Sequence, residues 1–410
     1  MPRALVYTSP ARGHLYPAVD IALGLRRRGF DVELHGLAAE VPALPSLGFE
    51  VHPLDPQIEA LPLDDATAKT ALGALRRVVS MFVRRAPLEV TALQKRLRAQ
   101  RPDLMLIDIN TWGAAAVAEA SEIPWALFSP YLLPLPSRDA PPFGLGLRPR
   151  QDWLGRVRDA LVLRTIRAAL GSFTKPLNTI RAAVGAAALE HVVDFPLTAP
   201  CMLAMTAEPF EYAHSDWPAC VHLCGPATWS PPAPAFPWAS QPGPPLVLVT
   251  ASTETQDDAR LIEIALAAFA DTDVRVVATT AAHDPAGFAA AANARVVRFV
   301  SHDAILPHAA AVICHGGMGI TQRALAAGVP VCVVPHGRDQ LEVGRRVERA
   351  QAGVFLSRDR LTAATLREAV VATRALRPGA ARIASAFRQA GGGDRAAEIL
   401  STLCKGVSTP

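Results

Sequence analysis

The sequence is poor in lysine, in aromatic residues and in net charge. Its only lysines are Lys69, Lys95, Lys175 and Lys405. Its 41 Lys and Arg residues stand against 37 Asp and Glu, a formal balance of +4. The longest basic run is Arg26-Arg27-Arg28, so no patch of the kind that marks a nucleic-acid surface is present. The excess of Arg and Ala reads as coding bias. No apolar run reaches the ~20 residues of a membrane span, and the opening MPRALVYTSP lacks the layout of a signal peptide. These absences predict a soluble, cytoplasmic chain without nucleic-acid partners or stable membrane insertion. None of the six cysteines forms a C-x2-C pair, and Cys314 and Cys332 lie in apolar runs. Buried thiols in a reducing compartment are expected, with no metal site and no disulfide.

What is present is enough apolar residue to bury a large core: 50% of 410 residues are hydrophobic, a length that predicts two domains. The N-terminal half opens on an apolar strand, Ala4–Tyr7. The loop SPARGHLYP follows, then a helix from Pro17 through Arg28 stopped by Gly29, then a strand from Asp31 to His35. A second unit of the same kind places a strand near Leu104–Ile107, a helix near Ala114–Glu122 and a strand near Trp125–Phe128. Such alternation predicts α/β architecture with a parallel sheet covered on both faces. The run PATWSPPAPAFPWASQPGPP, residues 226–245, is too rich in proline for helix or central strand, and is the expected boundary. After it the alternation restarts with LVLVTAS. The expected division is residues 1–225, a linker at 226–245, a second domain at 246–385 and a helical tail at 386–410.

The stretch CHGGMGITQRALAAGVPVCVVP, from Cys314 to Pro335, sets His315 and the glycines Gly316, Gly317 and Gly319 between a strand and a helix. In an open α/β sheet, ligands bind beyond the carboxyl ends of strands. Glycines let backbone N–H groups approach an anion, and the helix start supplies unpaired N–H groups and the positive end of the dipole. Thr321 adds a hydroxyl. A bare tight turn would also use these glycines. Two further strand ends tip the balance: His336, Asp339 and Gln340 in PHGRDQ, and Ser252 and Thr253 in LVTAST. Hydroxyl, amide, imidazole and carboxylate groups on three loops suit a diphosphate joined to a polyhydroxylated group. Neither a P-loop nor a G-x-G-x-x-G fingerprint is present.

Residues 299–340, FVSHDAILPHAAAVICHGGMGITQRALAAGVPVCVVPHGRDQ, resemble the donor-binding signature of the UDP-glycosyltransferase superfamily, in its bacterial natural-product branch. The N-terminal GHLYP fits the same family. The resemblance implies the GT-B fold, two doubly wound Rossmann-like domains facing across a deep cleft, with closure hinged near 226–245 and the C-terminal helix crossing back to the first domain. It implies an inverting, metal-independent glycosyltransferase with no cofactor, a nucleoside-diphosphate sugar serving as co-substrate. His315, Gly316, Gly317, Gly319 and Thr321, with Ser252 and Thr253, would hold the diphosphate. Phe299, Val300, Ser301 and His302 would flank the base, and His336, Asp339 and Gln340 the sugar. Two positions depart from the pattern. Ile320 stands where many members carry Ser or Thr, and Arg323 where many UDP-sugar users carry a ribose-binding Glu. The second departure favours a dTDP-sugar.

His14, in the loop after the first strand, is the expected general base, since an ordinary imidazole titrates near pH ~6.5. Asp108, ending another strand, would orient it as in a dyad; the family's His–Asp pair matches both. Either could be purely structural, His14 as a hydrogen-bonder and Asp108 as a helix cap. Asp271-Thr272-Asp273 spells D-x-D but falls at the wrong end of the sheet for a ligand. Residues 72–101 predict two amphipathic helices around Pro87 with a solvated basic face, and SPYLLPLPSRDAPPFGLGLRP predicts a long, exposed apolar loop. By the resemblance both border the pocket of an apolar acceptor. A GT-B transferase acting on a membrane lipid, or a non-catalytic nucleotide-sugar-binding partner, are the alternatives. A homodimer is compatible with the sequence.

Overall fold

The apolar runs become parallel strands because both of their faces are covered. The computed structural model describes residues 1–62, 68, 70–252 and 259–406. It divides into two units. The first comprises Met1–Ala207, Ala213–Trp229 and Ala390–Pro410; the second comprises Glu208–Tyr212 and Ser230–Gln389. The proline-rich strap is therefore shared, its first four residues lying in unit 1 and the rest in unit 2.

Unit 1 carries strands β1 (Arg3–Tyr7), β2 (Asp31–Gly36), β3 (Glu50–Pro53), β4 (Leu104–Asp108), β5 (Trp125–Ser129), β6 (Met202–Ala204) and β7 (Val221–Leu223). Its helices are α1 (Arg12–Arg27), α2 (Pro56–Glu59), α3 (Ala71–Ala99), α4 (Trp112–Glu119), α5 (Trp153–Leu170) and α6 (Thr174–Val184). The sheet order is β3-β2-β1-β4-β5-β6-β7, parallel throughout. Strand alternation splits the core. Leu5 and Tyr7 join the side chains of α3 and α4, whereas Ala4 and Val6 join those of α1.

Unit 2 carries β8 (Leu246–Thr250), β9 (Arg275–Thr279), β10 (Ala294–Val297), β11 (Ala309–Cys314), β12 (Val331–Val333) and β13 (Gly353–Phe355). Its helices are α7 (Pro237–Ser240), α8 (Ala259–Phe269), α9 (Met318–Ala326), α10 (Gln340–Arg349), α11 (Ala363–Ala375) and α12 (Arg377–Ala390). The order is β10-β9-β8-β11-β12-β13, again all parallel. In each sheet the chain leaves in one direction and returns to the other side of its first strand, so β1/β4 and β8/β11 are the switch points. The final helix, α13 (Gly392–Gly406), packs on α1 within unit 1.

Three local expectations are corrected. Helix α1 starts at Arg12, not Pro17, so His14 lies in its first turn rather than in a loop. Pro17 is tolerated inside because its missing N–H removes a single bond, to the Gly13 carbonyl, while Leu15, Ala18 and Val19 are buried around it. Residues 71–99 form one helix through Pro87 rather than two, held by burial of Phe82, Val83, Ala86 and Leu93 on either side of the proline. The loop after β5 is packed, not exposed: Leu132, Leu133, Leu135 and Ala140 are all buried.

The α1–α13 contact depends on small residues. A Cβ at Gly24 would stand 2.7 Å from Ala397 Cβ and 3.0 Å from the Gly393 carbonyl oxygen. Asp394 pairs with Arg27 and Arg28 beside it. Gly24→Val should destabilise unit 1 by about 1–3 kcal/mol through overpacking. An unchanged midpoint in thermal unfolding would show that the two helices are not held this closely.

Candidate active site

Asp108 ends β4 and His14 opens α1, next to each other at the switch point because β1 and β4 pair with Tyr7 opposite Ile107. His14 Nδ1 stands 2.8 Å from Asp108 Oδ2 and 3.0 Å from Oδ1. Asp108 has no exposed surface. Its oxygens also accept the Ser9 N–H at 3.0 Å and the Asn110 N–H at 2.8 Å. Burial alone would raise its pKa. The His14 ring and these two backbone donors outweigh burial and hold the carboxyl below the ordinary value. With Nδ1–H donating to the carboxylate, the lone pair of His14 is on Nε2.

Sequence reasoning missed the groups around that nitrogen. Asn110 Nδ2 lies 3.2 Å from His14 Nε2, and the Tyr131 hydroxyl donates to Asn110 Oδ1 at 2.8 Å. The Tyr131 ring meets the His14 ring edge-on at 5.7 Å. Each follows its strand end by two residues, Asn110 after β4 and Tyr131 after β5, and that spacing was the available signal. Below them α3 supplies a buried ion pair. Arg85 binds Glu89 at 2.5 Å and donates to the Asn110 carbonyl, while Glu89 accepts the Gly113 N–H at 2.8 Å. Arg85 is therefore no part of a solvated basic face, as its pattern suggested, but braces the turn that carries Asp108 and Asn110.

In unit 2 the glycine turn follows β11, whose Cys314 pairs with Thr250 of β8, so the segments entering His315 and Ser252 run side by side. Gly316 has φ +93°, and a Cβ there would stand 2.7 Å from Val333 Cγ1. A Cβ at Gly317 would stand 2.5 Å from His315 Nε2. The left-handed backbone at Gly316 thus demands glycine, whereas at Gly317 a side chain would have to displace the His315 ring. At Gly319 a Cβ would meet nothing within 4 Å. Gly317 is the N-cap of α9 and no side chain caps the helix, so its first N–H groups remain for an anion.

Other expected donor residues fall less simply. Thr321 is fully buried, its hydroxyl 3.7 Å from Cys314 Sγ. Gln340 is buried too, and its side-chain oxygen accepts the His336 and Gly337 N–H groups at 2.7 and 3.1 Å. It shapes from behind the loop expected to face the sugar, while His336 and Asp339 are partly exposed. Phe299 is 66% exposed and Val300 buried; Ser301 and His302 are half-buried. Ser252 is buried, and Thr253 lies outside the described residues. Arg323, on α9, pairs with Asp303 at 3.0 Å and so ties α9 to the loop expected to flank the base. Asp271 and Asp273 fall between α8 and β9, at the end of the sheet away from His315. Among the described residues no His, Cys, Asp and Glu group could hold a metal, and no helix is long and apolar enough to cross a membrane.

Over 390 residues, 90% of each chain, the sequence is 33% identical to the 4'-demethylrebeccamycin synthase of Lentzea aerocolonigenes. The chain belongs to the glycosyltransferases of antibiotic biosynthesis. Residues 263–397 of this glycosyltransferase match the family described as erythromycin biosynthesis protein CIII-like, C-terminal domain. CalG4, the calicheamicin glycosyltransferase, matches over 100% of both chains at TM-score 0.76 and 20% identity. The glycosyltransferase VinC, solved in complex with dTDP, matches over 98% of this chain and 99% of its own at TM-score 0.70 and 24% identity. The fold is therefore GT-B, built from two Rossmann-like domains.

His302 gives the loop after β10 a pH signature. Burial, then the nearby Arg323 charge, lowers its pKa from 6.5 to about 4, with Asp303 pulling weakly the other way. In the unfolded chain the ring takes its proton near 6.5. Between pH 6.5 and 4 the unfolded state thus binds more protons, so this contribution to stability is lost as pH falls through that window. His302→Gln should flatten the fall of the unfolding midpoint between pH 6.5 and 4. An unchanged slope would mean that His302 already titrates normally in the fold.

Proposed function

We propose that this glycosyltransferase moves a sugar, with inversion, from a dTDP-sugar to a hydroxyl of an apolar small molecule, with His14 as general base. The observation that carries this is the 2.8 Å contact between His14 Nδ1 and the fully buried Asp108. Asp108 fixes the tautomer that leaves Nε2 basic and stabilises the imidazolium formed on proton uptake. The acceptor hydroxyl takes the place at Nε2 now held by the Asn110 amide. Its oxygen bonds to the anomeric carbon as its proton passes to Nε2. The bond from that carbon to the diphosphate oxygen breaks, and the nucleoside diphosphate leaves with the electron pair. The negative charge on the leaving group is met by the N-terminus of α9 and by His315, an electrostatic device that routes no step through a metal or cofactor.

Two facts support dTDP over UDP. Arg323 stands where a ribose-binding carboxylate is common and is engaged with Asp303. The related fold of VinC was solved with dTDP.

His14→Ala should abolish transfer while leaving dTDP binding by calorimetry unchanged; full transfer by this variant would remove the base assignment. Asp108→Asn should lower kcat by about a thousandfold or more, again with donor affinity retained. In thermal-shift titrations dTDP should stabilise the chain at lower concentrations than UDP, and Arg323→Glu should narrow that gap. Equal shifts for the two nucleotides in the unaltered protein would remove the dTDP preference.

A further inference from the structure

Helix α5 turns its apolar residues outward. Trp153 is 71% exposed, Val157 51%, Leu161 61% and Leu154 48%. Trp153, Val157 and Leu161 are spaced at i, i+4 and i+8, so they form one line along the helix, with Leu154 on its flank. The opposite face is anchored by Gly155, Ile166 and Leu170, which are buried. The start of the helix is held rigidly: Asp152 caps it through the Gly155 N–H at 2.9 Å and pairs with Arg150 at 2.6 Å. Trp153 is therefore presented from a fixed first turn and not from a loose end.

The chain around this line is rich in arginine. Residues 148–167 hold six arginines, at 148, 150, 156, 158, 164 and 167, against two aspartates, Asp152 and Asp159. Both aspartates are already paired, with Arg150 and Arg158, and Arg167 pairs with Asp194. Arg164 continues the apolar line three residues beyond Leu161, and Arg156 borders it. Neither has an acidic partner among the described residues. A second copy docked face to face on α5 would set arginine against arginine. An anionic surface would satisfy them.

We propose that α5 is a membrane-surface helix that docks unit 1 on anionic lipid. Trp153, Leu154, Val157 and Leu161 enter the boundary between headgroups and acyl chains, and Arg156 and Arg164 bind lipid phosphates, their stems lying along the apolar surface. The contact is peripheral, and it does not depend on the assignment of His14 or of the donor. It keeps the enzyme where apolar acceptors partition.

The test is co-sedimentation of the full chain with vesicles of phosphatidylcholine containing phosphatidylglycerol, against vesicles of phosphatidylcholine alone. The expected result is preferential binding to the anionic vesicles, weakened by salt. Trp153→Ser/Leu161→Ser should reduce that binding by about tenfold or more, and Arg156→Glu/Arg164→Glu should remove the preference for anionic lipid. Thermal unfolding should be unchanged in both variants. No binding to either vesicle, or equal binding to both, would overturn the proposal. So would a dimer in sedimentation velocity that Trp153→Ser/Leu161→Ser dissociates, because the face would then belong to a second copy. A variant that raises the acceptor KM without altering vesicle binding would likewise overturn it, by assigning the face to the acceptor.

Discussion

A carboxylate with no exposed surface must have its charge met by fixed donors, and the organisation of unit 1 follows from how Asp108 meets this need. Its oxygens take the Ser9 N–H from the β1 loop, the Asn110 N–H from its own turn and the His14 ring from α1. Three chain segments are thereby locked at one switch point. The lock leaves the other imidazole nitrogen, Nε2, 3.2 Å from the Asn110 amide. Arg85 and Glu89 close the arrangement from α3. They are a buried ion pair that also binds the 110–113 turn through the Asn110 carbonyl and the Gly113 N–H, and such further bonds offset part of the cost of burying the charges.

Unit 2 shapes its strand-end loops with neutral groups. No Ser, Thr or Asp side chain caps the N-terminus of α9. Gly317 stands there instead, against the His315 ring. The loop after β12 is held from behind by the Gln340 amide, which leaves His336 and Asp339 partly exposed. Arg338 within it has φ +55°, a left-handed conformation that an arginine adopts only when its surroundings impose it.

Much of this was legible in the sequence, for reasons that differ by residue. The strands LMLID and LVLVT could be placed because a strand covered on both faces must be apolar along its length. His14, Asp108 and His315 could be named because each sits at or just beyond a strand end. The burial of Thr321 could not be read, because a hydroxyl in the second turn of a helix is buried or exposed according to rotation about the helix axis, and that is set by packing on β11. Arg85 looked like surface charge for the same reason. The polar residues of a helix disclose their partners only when the neighbouring turn is known.

The sequence by itself determined the fold class, the two sets of strand-end loops and the family, because these rest on local periodicity and on short motifs. Tertiary structure alone decided that His14 and Asp108, separated by 94 residues, meet at 2.8 Å. It also decided that Asn110 and Tyr131 complete that site, and that the apolar residues of α5 face outward. Each of these follows from strand order and helix rotation. Both are settled by burying the whole core at once, and no short stretch of chain contains that information.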